Sequence, residues 1–119
     1  MYSIGEFAKL LGINSKTLRY YDLIGVLKPS TVDKYTGYRS YSNNQIAEYK
    51  KIVYLKKIGF TLEEIKENLI NLKLESVLRK KQELILTREN LNRQIEELTN
   101  LENTLDLTRG TKEKTLIKK

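Results

Sequence analysis

The sequence predicts a mainly α fold: a head of four short helices interrupted by one small β-hairpin, followed by a single long helix. Three observations predict it. Ser3-x-x-Glu6, Ser42-x-x-Gln45 and Thr61-x-x-Glu64 each place a capping box ahead of an apolar-periodic run, which marks three helix starts. The only proline, Pro29, opens a stretch of turn formers and alternating tyrosines that cannot continue a helix. From Leu74 to about Thr108 no glycine or proline interrupts the chain, and leucines recur at heptad spacing.

The first helix is expected over residues 3–11 and the second over 15–24, ended by Gly12 and Gly25. Gly12-Ile13-Asn14 joins them as a helix-turn-helix, an arrangement whose second helix enters a DNA major groove N-terminus first. Ile4, Ala8, Leu11, Ile13, Leu18 and Tyr21 supply the apolar faces between the two, leaving Lys16, Thr17, Arg19 and Tyr20 on the outer side. Residues 27–41 read as a hairpin or wing, with Ser30-Thr31-Val32, a turn region from Asp33 to Gly37, and Tyr38-Arg39-Ser40-Tyr41 returning. Alternation sends Tyr38 and Ser40 to one side and Arg39 and Tyr41 to the other. One side anchors the strand and the other is free to touch DNA; the alternation leaves open which. Helices over 42–58 and 61–72, separated by Gly59, complete the core with Ile46, Tyr49, Ile52, Val53, Leu55, Ile58, Phe60, Leu62, Ile65 and Leu69.

The long helix, expected over residues 74–108, would run roughly 50 Å at about 1.5 Å per residue. A head of this size cannot cover it, so it must find another chain. Leu84, Leu91, Leu98 and Leu105 fall every seventh residue, the spacing that keeps a seam facing a partner. The complementary positions hold Lys81, Arg88, Ile95 and Glu102 in one register and Thr87, Gln94, Leu101 and Thr108 in the other. Such a mixed seam suits a short antiparallel coiled coil in a homodimer better than a long parallel zipper. Leu84, Leu91, Ile95, Leu98, Leu101 and Leu105 are its expected dimerisation residues.

Composition narrows the function. A chain of 119 residues, 39% hydrophobic and 31% charged, fits one compact domain plus an extension. The apolar runs are only a few residues long, so neither a membrane span nor a signal peptide is expected, and the location is read as cytoplasmic. The absence of cysteine and histidine removes disulfides, thiolate chemistry, soft-metal sites and imidazole catalysis. A catalyst would then need paired carboxylates or a serine–lysine pair, whereas the acids here fall on caps and helix surfaces. The expectation is no enzyme, no cofactor and no metal. The net charge of +7 is uneven: residues 1–72 hold eleven Lys+Arg against seven Asp+Glu, and residues 73–109 hold seven of each. The last ten residues, 110–119, hold four lysines against Glu113 and read as a basic tail or linker. A basic head is the electrostatic footprint of nucleic acid.

Arginine offers a planar fork of donors to phosphates or guanine edges, and tyrosine adds a hydroxyl and a flat ring that packs on sugar and backbone. The candidate DNA-binding residues are therefore Ser15, Lys16, Thr17, Arg19 and Tyr20 on the second helix and Tyr38, Arg39 and Tyr41 in the wing. Lys56 and Lys57 join them, beside the Gly59-Phe60-Thr61 turn whose helix-start amides offer a phosphate site. The competing readings are a plain surface arginine, cross-strand packing of the hairpin tyrosines and a solvated lysine face.

Ser3-Ile4-Gly5-Glu6-Phe7-Ala8, Leu18-Arg19-Tyr20-Tyr21-Asp22, Gly37-Tyr38-Arg39-Ser40-Tyr41 and Ile58-Gly59-Phe60-Thr61-Leu62-Glu63-Glu64-Ile65 occur in that order. Together they resemble the winged helix-turn-helix DNA-binding domain of the MerR family of transcription regulators, over roughly residues 2–72. The wing, K-P-x-x-V-D-x-x-T-G-Y-R-x-Y from Lys28 to Tyr41, is similar to that of the multidrug-sensing branch. The resemblance implies a homodimer joined by antiparallel long helices on double-stranded promoter DNA, at a palindromic operator inside an overlong promoter spacer. It also implies that RNA polymerase is served indirectly, through DNA distortion, under control of a small-molecule effector. Family members that sense metals or superoxide use cysteines at and after the start of the long helix, so a metal or redox sensor is excluded. Two readings stand for the end of the chain: a DNA-binding fragment of a larger ligand sensor, or a short member with a coiled-coil pocket or no ligand, acting as a repressor or architectural protein.

Overall fold

The structure, a computed structural model, describes residues 1–109; the basic tail expected over 110–119 lies outside them. The elements run β1 (Tyr2–Ser3), α1 (Ile4–Leu11), α2 (Ser15–Ile24), β2 (Thr31–Val32), β3 (Arg39–Tyr41), α3 (Asn44–Lys57), α4 (Leu62–Asn68) and α5 (Leu74–Arg109). They fall into two units, Met1–Val77 and a second beginning at Leu78. Among the described residues no helix is long and apolar enough to cross a membrane.

Two of the expected capping boxes form as read. The Ser3 hydroxyl accepts from Glu6 N–H at 3.1 Å while the Glu6 carboxylate accepts from Ser3 N–H at 2.9 Å. Thr61 and Glu64 repeat the exchange at 3.1 and 2.9 Å to start α4. The third box is half built, and α3 begins at Asn44 rather than residue 42. Gln45 Oε1 does accept from Ser42 N–H at 3.0 Å, but Asn43 stands at the cap with no side-chain bond. The Gln45 amide is drawn elsewhere: it also accepts from the Ser30 hydroxyl at 2.9 Å and donates to the Lys28 carbonyl. A further correction concerns α4, which ends at Asn68 and not at residue 72. There the buried Asn68 amide bonds the Glu64 carbonyl at 2.7 Å, and Lys51 Nζ takes the Leu69 carbonyl at 2.6 Å.

Gly25 ends α2 at φ 81°, a left-handed conformation that a side chain would strain. A Cβ there would also lie 3.1 Å from Lys66 Cε, a contact the end of that flexible side chain would have to shift slightly to relieve, so the backbone conformation is what favours glycine.

Three strands form one antiparallel sheet in the order β1-β3-β2, with Tyr2 opposite Tyr41, Ser3 opposite Ser40, Thr31 opposite Ser40 and Val32 opposite Arg39. The sequence reading contained the hairpin but not β1. Ser3 therefore serves twice, as the last residue of a strand and as the cap of α1.

The head core is built from Phe7, Leu18, Tyr21, Leu27, Tyr41, Ile52, Leu55, Phe60 and Ile65, all buried. Phe7 and Tyr41 stack at its centre, with ring centroids 4.8 Å apart and planes 5° from parallel. Val53 and Ile58, expected in the core, are 44% and 38% exposed; they lie on the outer side of α3 and just past its end. α5 is one uninterrupted helix of 36 residues. The Thr99 and Thr104 hydroxyls bond back to the Ile95 and Asn100 carbonyls at 2.9 and 3.0 Å.

Candidate nucleic-acid interface

α2 starts cleanly because Asn14 caps it, its side-chain oxygen accepting from Lys16 N–H at 2.8 Å. Leu18 and Tyr21, three residues apart, turn one face into the core. Lys16, Arg19 and Tyr20 are left exposed on the other, with Ser15 and Thr17 half-buried at the helix start. Arg19 reaches back one turn to the Ser15 hydroxyl at 3.4 Å, a long contact that leaves most of its guanidinium free for another partner. The helix thus presents a fork of donors, an ammonium and a phenol on one outward strip.

The wing stands beside this strip and is tied to it. Arg39 donates from Nε to Asp22 Oδ2 on α2 at 2.9 Å, and Lys28 Nζ lies 3.6 Å from the other carboxylate oxygen. Both Arg39 Nη groups remain without a hydrogen bond among the described residues. From the opposite side Gln45 of α3 grips the wing root at Lys28 and Ser30. Neither Asp22 nor Gln45 stands among the sequence-derived site residues. Asp22 carried a local signal, as the one acid next to the exposed arginine and tyrosine, but its partner lies 17 residues away.

The alternation of the return strand now has its sense. Tyr38 is 75% exposed, whereas Tyr41 is fully buried. Tyr41 is therefore corrected from a DNA contact to a core residue: its ring stacks on Phe7, and no phosphate can reach it. Burial first, and then the Asp22 carboxylate, push its hydroxyl above the ordinary 10.0, with Arg39 and Arg19 acting against the shift.

Lys56 and Lys57 end α3 and are exposed. The helix start beyond them does not suit a phosphate. The Thr61 and Glu64 N–H groups are taken by the capping box, and Glu63 and Glu64 put two carboxylates in the first turn.

The wing tip is preorganised by Asp33, whose Oδ1 accepts from Thr36 N–H at 3.0 Å and from Tyr35 N–H at 2.8 Å. The Thr36 bond, followed by the Tyr35 bond, holds the carboxyl below the ordinary 3.8. A depressed carboxyl pKa stabilises the turn above the ordinary value and ceases to do so as pH falls through the lower, folded one. The Tyr35 and Thr36 amide resonances should therefore titrate together with a midpoint below 3.8. A midpoint at or above it would show that the carboxylate does not hold the turn. Tyr35 itself is 96% exposed at the tip.

In α5, Leu84, Leu91, Ile95, Leu98, Leu101 and Leu105 are all roughly half exposed.

With this geometry in place, the likeness to other proteins is informative. The family of MerR HTH regulatory proteins matches residues 2–72. The multidrug-efflux transporter 1 regulator of Bacillus subtilis (strain 168) is 48% identical over 66 residues, 56% of this chain and 24% of that protein. The chain thus spans about a quarter of the length of that curated relative. Among solved structures, MtaN, the N-terminus of the Bacillus subtilis multidrug transporter activator, is 32% identical with a TM-score of 0.69, covering 88% of this chain and 98% of that one. EcmrR, in a complex with DNA, is 28% identical with a TM-score of 0.70 over 90% of this chain and 39% of that one. The match covers the helix-turn-helix, the wing and the α4 turn together, and this chain belongs to the MerR family of HTH regulatory proteins.

Proposed function

We propose that the chain is a sequence-specific regulator of transcription that binds a palindromic promoter operator as a homodimer. The observation that carries the reading is the outward strip of Lys16, Arg19 and Tyr20 on α2 beside a wing whose Arg39 is tied to the same helix. α2 enters the major groove with Arg19 at base edges, and the wing places Tyr38 and the Arg39 Nη groups on the flanking phosphates. The relative solved in complex with DNA supports DNA binding by a chain of this fold. Two heads joined through α5 give the dimer a two-fold axis, which the operator must match. Phosphate contacts on both sides of that axis offset the cost of bending and untwisting the promoter, so RNA polymerase is affected through DNA shape. The reading includes control by a small-molecule effector, and the named relative is a regulator of a multidrug-efflux transporter. The site of action is the cytoplasm.

The test is binding to DNA from upstream of the chain's own gene against random competitor, at two salt concentrations. Selective and salt-sensitive binding is expected. Arg19→Ala should remove about 1–3 kcal/mol of discrimination between operator and random DNA. Equal weakening on both would show that Arg19 touches only the backbone.

A further inference from the structure

We propose that Asp22 is a positioning residue for DNA reading: its carboxylate holds Arg39 of the wing in fixed register with the outward strip of α2. The inference rests on the DNA-binding function proposed above. It starts from the size of the wing. Strands of two and three residues carry few ladder bonds, and a sheet this small does not fix its own direction against a helix. Some contact outside the ladder must do so.

Asp22 is placed for that task. It follows Tyr21, whose ring is in the core, so its backbone is anchored. Its side chain is only 18% exposed, and both oxygens face wing cations: Oδ2 takes Arg39 Nε at 2.9 Å, and Oδ1 faces Lys28 Nζ at 3.6 Å. Lys28 also reaches the Asp22 carbonyl at 3.4 Å. A single acid on α2 therefore holds the outgoing and the returning limb of the wing. The bond to Arg39 uses Nε and leaves both Nη groups for a phosphate, so the tie aims the guanidinium without consuming it.

Electrostatics separates this role from a merely stabilising one. A carboxylate next to a DNA-binding strip repels phosphate of any sequence. Removing its charge, with no other consequence, would tighten binding to all DNA alike. A positioning role makes the opposite prediction for the operator, because selectivity depends on Arg19 and Arg39 engaging one site together.

Asp22→Asn, Arg39→Ala and the double variant, made in the full chain, separate the two. For each, affinity is measured for operator and for random DNA, alongside thermal unfolding and the Arg39 Nε–H resonance of the free protein. In Asp22→Asn the Nε–H resonance should lose protection and random DNA should bind as well as before or better. The operator-to-random ratio should fall about tenfold, equivalent to about 1.4 kcal/mol. On the Arg39→Ala background the same change should lower the ratio no further. Asp22→Glu keeps the charge and moves it by one methylene, so it should lower the ratio with random binding unchanged, and it carries the test if Asp22→Asn unfolds. An unchanged ratio in both variants, or losses that add across the double variant, overturns the proposal. If the unaltered chain shows no preference for operator, the DNA-binding reading itself fails and the proposal falls with it.

Discussion

Truncating Tyr41 to alanine is expected to cost the head about 3–5 kcal/mol of stability, the range for a buried aromatic whose cavity cannot collapse. The ring is fully buried and stacked on Phe7, itself fully buried, and β3 enters the core through it. Domains of this kind are stable by only about 5–15 kcal/mol in total, so the change removes much of the margin. Tyr41→Phe should behave in the opposite way. The Tyr41 hydroxyl is buried without a hydrogen-bond partner among the described residues, and an unpaired buried hydroxyl is a liability rather than a support. Phenylalanine keeps the stack and removes the polar atom, so stability should hold or rise slightly. Urea unfolding checks both, with the alanine variant melting at a lower midpoint on an unchanged slope. An alanine variant that keeps full stability but loses DNA affinity would return Tyr41 to the interface.

What the sequence disclosed and what it hid divide along range of interaction. The boxes at Ser3 and Thr61 exchange bonds with residues three positions on, and the sequence reading located both helices from them. The box at Ser42 has the same letters, but its Gln45 answers to Lys28 and Ser30, up to 17 residues away, which no local pattern contains. Tyr38 and Tyr41 look alike in a hairpin until Phe7 arrives from α1 to cover one of them. β1 escaped for the same reason, since two residues have no periodicity and pair only because β3 is there. In the candidate site the strip on α2 was legible because helical periodicity alone separates Lys16, Arg19 and Tyr20 from Leu18 and Tyr21. The ion pair that links strip to wing needed the fold.

Replacing Leu91 and Leu98 together by lysine is expected to convert the proposed dimer to monomer and to abolish tight operator binding. Within one chain these leucines are 51% and 64% exposed, on a helix whose Thr99 and Thr104 hydroxyls are satisfied by its own carbonyls. Nothing internal asks for leucine there. A seam between two copies does, and since charged or polar residues hold many of the alternating positions, each leucine carries a large share of the contact. Covering the open half of one leucine side chain contributes about 1 kcal/mol. Four leucines leave the seam of a two-chain assembly, so association should weaken about a thousandfold before any lysine repulsion is added. Sedimentation at micromolar concentration reads this directly. The near-ultraviolet tyrosine signal of the head should be unchanged, because its buried tyrosines lie in the Met1–Val77 unit. The monomer holds one α2 and one wing, so it can occupy only a half-site and loses the second set of phosphate contacts along with the two-fold match to the operator. A variant that sediments as a dimer would place the interface on another face of α5, and a monomer that still bound the full operator tightly would mean that the two heads meet on DNA without the seam.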